Sequence, residues 1–275
     1  MVAELGIFLI PAADDPEATV AQAMAADQAG LDYVAVQDHP YQRRFLDTWT
    51  LLSYVAARTE RVRLVPDVLN LPLRLPSVIA KSAASLDLLT RGRVELGIGA
   101  GAFWEGIEAV GGARLTPKES VDALEEAIAV LRAFWSGERS VTVEGARYRL
   151  AGAKPGPRPA HPVGVWIGAY GPRMLRLTGR LGDGWLPSLG RLDAADVEAM
   201  HARVDEAARR AGRDPAAIKR VANTARLDGQ PNAWADQLLR GAELGFETLI
   251  VPVPDDDPIG FIRRLGEDVA PKVRN

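Results

Sequence analysis

The 275 residues contain only three histidines, and one of them, His39, stands in "VQDHP", where an apolar run meets an Asp, a His and a Pro. An imidazole placed there can exchange a proton near neutral pH or donate a hydrogen bond to a bound cofactor. The alternative is that Asp38 and His39 only pin a loop. His161, in a Pro-rich segment, and His201, within a helical pattern, are expected at the surface. A second stretch, "IGAYGPRM", brings together Gly171, Pro172, Arg173 and Met174 after Gly168. Pro at a first helical position leaves the next N–H groups unbonded, Gly171 lets a ligand approach the backbone, and Arg173 adds charge. The turn suits an anion, most simply a phosphate, although an ordinary helix start can also carry Gly-Pro. A third stretch, "GIGAGAFWEG", sets Gly97, Gly99 and Gly101 before Phe103, Trp104 and Glu105. Such glycines either expose backbone to a flat ligand or form a tight turn. Asp38, Asp67 and Glu105 all fall at the ends of apolar runs, so a carboxylate pair stays open.

What could hold these residues together is legible in the hydrophobic pattern. Apolar runs too short for helices fall at 5–10, 33–36, 62–69, 93–99, 163–168, 184–187, 220–227 and 248–253, and they read as buried strands. Helical stretches follow them. The first has Asp15 as N-cap, Pro16 at its first position and Gly30 as its stop, and the others cover 47–59, 76–89, 116–135, 172–181, 193–211, 232–244 and 258–268. The helix at 116 opens with Thr116, Pro117 and Glu119, a capping box with Pro in its preferred place. Strands alternating strictly with helices imply a parallel sheet, and eight such units close into an α/β (β/α)8 TIM barrel. An open doubly wound sheet would need a Gly-rich turn after its first strand, and "LIPAADD" supplies none. The alternation breaks at 140–162, where a small hairpin around Glu144-Gly145 and a Pro/Gly-rich run form a short insertion. The reading is a single domain over 1–275. In such barrels the active site forms at the C-terminal strand ends, so His39 belongs to the catalytic face.

Composition narrows the chemistry. The chain has no cysteine, which excludes disulfides, thiolate zinc sites and cysteine nucleophiles. No His-x-His or His-x-x-x-His pattern is present, so no metal site is expected, and no Lys stands at a strand end for a Schiff base. A net charge of -3 gives no electrostatic case for nucleic acid or anionic membrane as partner. No apolar run approaches the ~20 residues that cross a bilayer, and no charged-then-apolar leader precedes "ELGIFLIP". A cytoplasmic protein acting on a small-molecule substrate is the expectation.

The segments "AGLDYVAVQDH", "ARTERVRLVPDVLNLPLRLPSVIAKSAASLDLLTRGRVELGIGAG" and "PVGVWIGAYGPRMLRLTGRLGDGW" resemble, in order and over almost the whole chain, the bacterial luciferase-like superfamily of flavin- and deazaflavin-dependent barrels. The resemblance implies that His39 faces the reactive side of the flavin or deazaflavin ring, as proton donor, base or transition-state stabiliser. It implies that Gly171 to Met174 hold the phosphate of the cofactor tail. In the deazaflavin branch a bulge in the third strand carries a non-prolyl cis peptide against the ring. The matching bond here is Asp67–Val68, which would place Asp67, Val68 and Asn70 there, with Gly99, Gly101 and Gly168 nearby. Family members dimerise through their second and third helices, and "TWTLLSYVAA" is apolar enough to permit a homodimer. One position departs from the pattern. Deazaflavin dehydrogenases of sugar phosphates and alcohols usually carry a Glu directly after the "GxG" of the fourth strand, whereas this chain has Ala102. That puts a mechanism with such a Glu as proton donor in doubt.

Four functions are therefore weighed. The leading one is an oxidoreductase that binds coenzyme F420 and passes a hydride to or from an organic substrate, with Trp49 or Trp104 walling the pocket. An FMN-dependent monooxygenase using reduced flavin and O2 is the alternative. A non-catalytic flavin-binding protein is the third. A hydrolase using Asp38 and Glu105 is the fourth, and it leaves the phosphate turn without a purpose. Leu69, Leu71, Leu73, Phe103, Trp104 and Glu105 are the expected surroundings of an apolar substrate pocket.

Overall fold

A parallel strand is covered on both faces, so it must be apolar along its whole length. The first strand, β1 (Glu4–Leu9), and the second, β2 (Tyr33–Val36), meet that demand, being almost wholly buried. The structure, a computed structural model, describes residues 1–2 and 4–274. The remaining barrel strands are β3 (Arg63–Pro66, continued by Leu69–Asn70), β4 (Leu96–Gly99), β5 (Val165–Ile167), β6 (Gly184–Trp185), β7 (Lys219–Asn223) and β8 (Thr248–Pro252). The hydrogen-bonded order is β3-β2-β1-β8-β7-β6-β5-β4, and Leu69–Asn70 pairs with Ile98 and Gly99 of β4. A bridge between Leu64 and Val94 joins the lower part of β3 to the approach of β4. The sheet therefore closes on itself as the expected barrel.

Helices α1 (Pro16–Gln28), α2 (Thr48–Ala56), α3 (Pro76–Thr90), α4 (Pro117–Trp135), α5 (Pro172–Leu181), α6 (Ala194–Arg210), α7 (Pro231–Glu243) and α8 (Pro258–Arg264) wrap the outside. Their starts follow the sequence signals. Asp15 caps α1 through the Ala18 N–H, and the Thr116–Glu119 capping box is formed at α4. Among the described residues no helix is long and apolar enough to cross a membrane.

The N-terminal end of the barrel is plugged by polar groups that satisfy one another. Glu4 accepts from the Tyr33 hydroxyl (3.2 Å) and the Thr248 hydroxyl (2.8 Å), and it pairs with Arg63 and Lys219. Burial alone would raise its pKa, but hydrogen bonds from Lys219 and Arg63 overcome that and hold it down at about 2. Tyr33 and Trp166 meet edge to face above it, with centroids 5.4 Å apart. The bottom is thus closed, and chemistry is left to the other end.

Several expectations need correction. The run 62–69 is not one continuous strand: it breaks at a cis peptide between Asp67 and Val68. A short helix, Trp104–Ala109, stands in a stretch to which the sequence pattern assigned no element. The seventh strand ends at Asn223 instead of running to 227. The final helix is regular only to Arg264 and widens into a π turn over Leu265–Val269. The insertion hairpin pairs Val141–Val143 with Leu150–Ala153 around a turn longer than Glu144-Gly145. Glu126 of α4 orders that turn by accepting the backbone N–H groups of Ala146, Arg147 and Tyr148.

Neither remaining histidine is a bare surface residue. His201 is half-buried, edge-on to Trp185 at 4.8 Å and beside Phe246 at 5.0 Å. His161 ties the end of the insertion to the barrel, because Asp87 of α3, fully buried, accepts from its backbone N–H (3.1 Å) and pairs with ring Nδ1 (2.8 Å). Glu95 lies 3.6 Å from its Nε2 and also accepts the Gly164 N–H at 2.7 Å, which sets where β5 begins. The Glu95 carboxylate, burial acting against it and Asp87 with it, holds the His161 pKa up at about 9. That value lies above the ordinary ~6.5, so the stabilisation is complete below ~6.5 and is lost as pH rises toward 9. Urea unfolding followed across this range should show stability falling, and His161→Gln should flatten the fall at a cost on the order of 1 kcal/mol near neutral pH after solvent screening.

Candidate active site

The C-terminal ends of β1 to β7 converge on a cavity of about 720 Å³. Its floor is shaped by the break in β3. Val68 is pushed toward the cavity, and the neighbouring strand makes room for it with glycines. A Cβ on Gly97 would lie 2.2 Å from the Pro66 carbonyl oxygen, and one on Gly99 would lie 2.9 Å from Val68 Cγ2. Gly168 flanks Val68 from β5.

The β3 break is held from β2. Asp38 is buried and accepts the Asn70 backbone N–H at 2.9 Å. It also takes a two-pronged contact from Arg74, at 2.9 Å from Nε and 2.7 Å from Nη2. Arg74 reaches Asp47, the cap of α2, at 2.7 Å. Asp38 is thus the residue that pins the loop, and this leaves the next residue, His39, on the cavity wall.

His39 Nδ1 lies 2.5 Å from the Tyr41 hydroxyl, and the ring is edge-on to Phe103 at 5.5 Å. Burial lowers the His39 pKa, with the Asp38 charge pulling the other way. Burial, with Asp38 acting in the same direction, raises that of Tyr41. Near neutral pH the phenol keeps its proton and the imidazole is neutral. In the tautomer whose Nδ1 accepts from the Tyr41 hydroxyl, Nε2–H is the donor of the ring.

Opposite lies a cluster of buried acceptors. Asp67 Oδ1 accepts from Asn223 Nδ2 at 3.1 Å, while Asp67 Oδ2, Asn70 Oδ1 and Asn223 Oδ1 have no partner. Unsatisfied buried acceptors on a cavity wall suit a heterocycle that presents N–H donors. At the outer end α5 begins at Gly171-Pro172 without a side-chain cap, and the Arg173 and Met174 backbone N–H groups take no bond among the described residues. Free N–H groups at a helix start suit an anion. Arg173 lines the cavity too, although its guanidinium is drawn aside by Asp122 (2.8 Å).

His39, Asp67, Val68, Leu69, Asn70, Gly99, Gly101, Phe103, Gly168, Gly171, Pro172, Arg173 and Met174 all lie on this one cavity. Other expected members do not. Trp49 packs against the barrel core from the start of α2. Trp104 turns away beside Gly101 and Pro72 as the short helix begins. The Glu105 side chain is 84% exposed and pairs with Arg114, so it is no partner for a reaction in the cavity. Leu71 is core, and Leu73 lies under Gly112. Sequence reasoning missed Phe8, Tyr41, Ser120, Tyr170, Ser188 and Asn223. Asn223 left a signal, a polar residue at the end of an apolar strand. Ser120 left none, because it sits within a helical pattern.

The model of the luciferase-like monooxygenase family matches residues 3–247. An F420-dependent glucose-6-phosphate dehydrogenase of Beutenbergia cavernae is 31% identical over 322 residues, which take in 94% of this chain and 94% of that protein. Since the alignment is longer than the 275 residues here, that relative carries segments this chain lacks. Two solved structures share the fold over nearly their full lengths. An F420-dependent secondary alcohol dehydrogenase in complex with an F420-acetone adduct has a TM-score of 0.89 at 20% identity, with 100% of each chain covered. The monooxygenase RslO1 of Streptomyces bottropensis has a TM-score of 0.84 at 20% identity, covering 98% of this chain and 99% of that one.

The Asp38–Arg74 contact makes the site's rigidity measurable. Asp38→Ala would leave the buried Asn70 N–H without its acceptor and the half-buried Arg74 with only Asp47, so denaturant unfolding should show a loss of about 2–3 kcal/mol. Asp47→Ala, at the exposed end of the same network, should cost only about 1 kcal/mol.

Proposed function

We infer that this chain, which belongs to the luciferase-like monooxygenase family, is an F420-dependent oxidoreductase that passes a hydride between the deazaflavin and a small organic substrate. The observation that carries this reading is the pairing of a phosphate seat with a floor of unsatisfied acceptors across one cavity, a shape that fits a flat heterocycle with a phosphate tail. The Arg173 and Met174 N–H groups would hold the phosphate. Val68 would support the ring, and Asp67, Asn70 and Asn223 would accept from its N–H groups. When bound, the deazaflavin supplies a carbon that gives or takes a hydride.

The chain's own residues do the rest. His39, kept neutral by burial, donates from Nε2–H to a substrate oxygen and stabilises the charge that develops there. Tyr41 fixes the tautomer. Phe8, Val121, Leu186 and Phe103 form apolar walls that keep water from the reacting atoms. Ala102 stands where dehydrogenases of the family usually have a Glu, so no acid comes from that position. Arg173 is the one Lys or Arg on the cavity wall among the described residues, and it belongs to the phosphate end. The substrate is accordingly small, apolar and uncharged, in contrast to the phosphorylated sugar in the relative's name. A homodimer through α2 and α3 is part of the same reading, supported by exposed Tyr54, Val78 and Leu89 on those helices.

A fluorescence titration with F420 and FMN tests the cofactor. Saturable binding of F420 with none of FMN is expected, and FMN binding coupled to substrate-dependent oxygen uptake would instead make the chain a monooxygenase. His39→Ala should lower turnover by about 10²–10⁴-fold with little change in F420 affinity. The neutral imidazole is the working form and its pKa is lowered, so any loss of activity from His39 protonation should begin only below pH ~6.5.

A further inference from the structure

We propose that Tyr41 and His39 form a proton relay, in which the Tyr41 hydroxyl replaces at Nδ1 the proton that His39 Nε2–H gives to the substrate oxygen. The relay rests on the hydride-transfer reading above and deepens it, because His39 then transfers its proton and does not only donate a hydrogen bond. His39 Nδ1 lies 2.5 Å from the Tyr41 hydroxyl, and both residues line the cavity. His39 Nε2 takes no bond among the described residues, and unlike the free oxygens of Asp67, Asn70 and Asn223 it is not sealed from solvent. The imidazole therefore has one nitrogen open to a ligand and the other on a hydroxyl.

The carboxylates of the wall are not available for this role. Asp38 is saturated by Arg74 and the Asn70 N–H, and Asp67 Oδ2 is buried at the β3 break. Tyr41, by contrast, is held in place. A Cβ on Gly106 would lie 2.8 Å from Tyr41 Cγ and Cδ2, so the short helix Trp104–Ala109 brings its backbone against the ring. Phe103 flanks both rings, 5.5 Å from His39 and 6.4 Å from Tyr41. Tyr41 is half-buried beside the exposed residues Gln42, Arg43 and Arg44, so the outer side of the pair borders solvent.

The charged groups around the pair are engaged with one another. Asp38 bears on both rings and is paired with Arg74. Glu105 and Glu108 of the short helix share Arg114, and Arg44 meets Asp14, while Arg43 is exposed. Across the cavity Arg173 meets Asp122 and Asp67 bonds Asn223. Burial lowers the His39 pKa against the Asp38 charge, and burial and that charge together raise the Tyr41 pKa. Near neutral pH the imidazole is therefore neutral and the phenol protonated. A neutral imidazole can give up its Nε2 proton only if Nδ1 gains one, and the phenol is the group in place to supply it.

The step balances for a carbonyl compound and its alcohol. In reduction a hydride, carrying two electrons from the reduced deazaflavin, adds to the carbonyl carbon, and the Nε2 proton passes to the carbonyl oxygen. Nδ1 takes the Tyr41 proton, and solvent returns one to the phenol oxygen. C–H and O–H bonds form on the substrate, its C=O π bond breaks, and Nε2–H is exchanged for Nδ1–H. The substrate is reduced and the cofactor oxidised. Oxidation of the alcohol runs the same exchange backward from the Nδ1–H tautomer. After product leaves, solvent restores the starting tautomer.

The test compares wild type, Tyr41→Phe and Gly106→Ala, the last of which keeps the hydroxyl but displaces its ring. ¹⁵N NMR of cofactor-free protein reads the contact first, with His39→Ala identifying the His39 signals. A bonded Nδ1 and a protonated Nε2 are expected in wild type, and an unbonded Nδ1 in both variants. F420 affinity, measured by fluorescence, should be near-unchanged in all three. Carbonyl reduction is then followed from pH ~5 to ~9 as the ratio of each variant to wild type, which cancels any titration of cofactor or substrate. Below the His39 midpoint, which lies under the ordinary ~6.5, the imidazolium brings its own proton and the ratio should approach one. Above it the ratio should fall about tenfold per pH unit, reaching a loss of about 10²-fold near pH ~8. A ratio independent of pH would make Tyr41 a packing residue and overturn the proposal. An unbonded Nδ1 in wild type would overturn it as well. Weakened F420 binding with a ratio independent of pH would make Tyr41 part of the cofactor seat and count against it equally. Failure of wild type to bind F420 would defeat the hydride-transfer reading and the relay with it, a result distinct from a flat ratio in a protein that binds. Should Tyr41→Phe not fold, Gly106→Ala carries the decision.

Discussion

The close approach of β3 to β4 governs the mouth of this barrel. Where a parallel strand would continue straight, β3 breaks at Asp67–Val68, and the cavity floor follows from that break. Only glycine tolerates the resulting contact at 97 and 99, where any Cβ would fall inside the atoms of Pro66 or Val68. The glycines are thus the complement of the bulge as much as a platform for a ligand. Asp38 and Arg74 then fasten the far side of the break, and their contact continues to the cap of α2. A buried ion pair adds little net stability over apolar packing, but it fixes geometry strongly because either partner alone is costly.

Electrostatic roles divide along the same lines. At the N-terminal end every carboxylate oxygen and cation in the plug is engaged, and the pKa of Glu4 is driven down. At the C-terminal end the polar atoms of Asp67, Asn70 and Asn223 are left incomplete, and the pKa of Asp67 is driven up. The barrel therefore keeps a satisfied, rigid end and an unsatisfied, reactive one. That asymmetry is what a parallel barrel needs in order to place chemistry at the strand tips without loss of its core.

Most of the scaffold was legible in the residues. Apolar runs and capping signals located the barrel strands and the helices after them, because parallel strands and Pro-started helices leave local signatures. "GPRM" was legible as a helix start, and Asp67–Val68 as a cis peptide through resemblance alone. The failures were tertiary. Whether Trp104 and Glu105 turn into the cavity depends on a short helix that begins with Phe103 at positive φ, a geometry that no periodicity encodes. The anchoring of His161 by Asp87, 74 residues away, could not be seen from either stretch. Asp67 appeared as one of three carboxylates near strand tips, and only the folded partners separate them: Arg74 and the Asn70 N–H engage Asp38, Glu105 is exposed, and Asp67 is buried with one oxygen unpartnered.

The central claim is that the bulge at Val68 and the start of α5 together form the cofactor seat. A crystal structure of the protein with F420 tests this most directly. The account predicts the deazaflavin ring against Val68, its N–H groups toward Asp67, Asn70 and Asn223, and the tail phosphate on the Arg173 and Met174 amides. A ring bound away from Val68, or a phosphate held elsewhere with the start of α5 untouched, would contradict it.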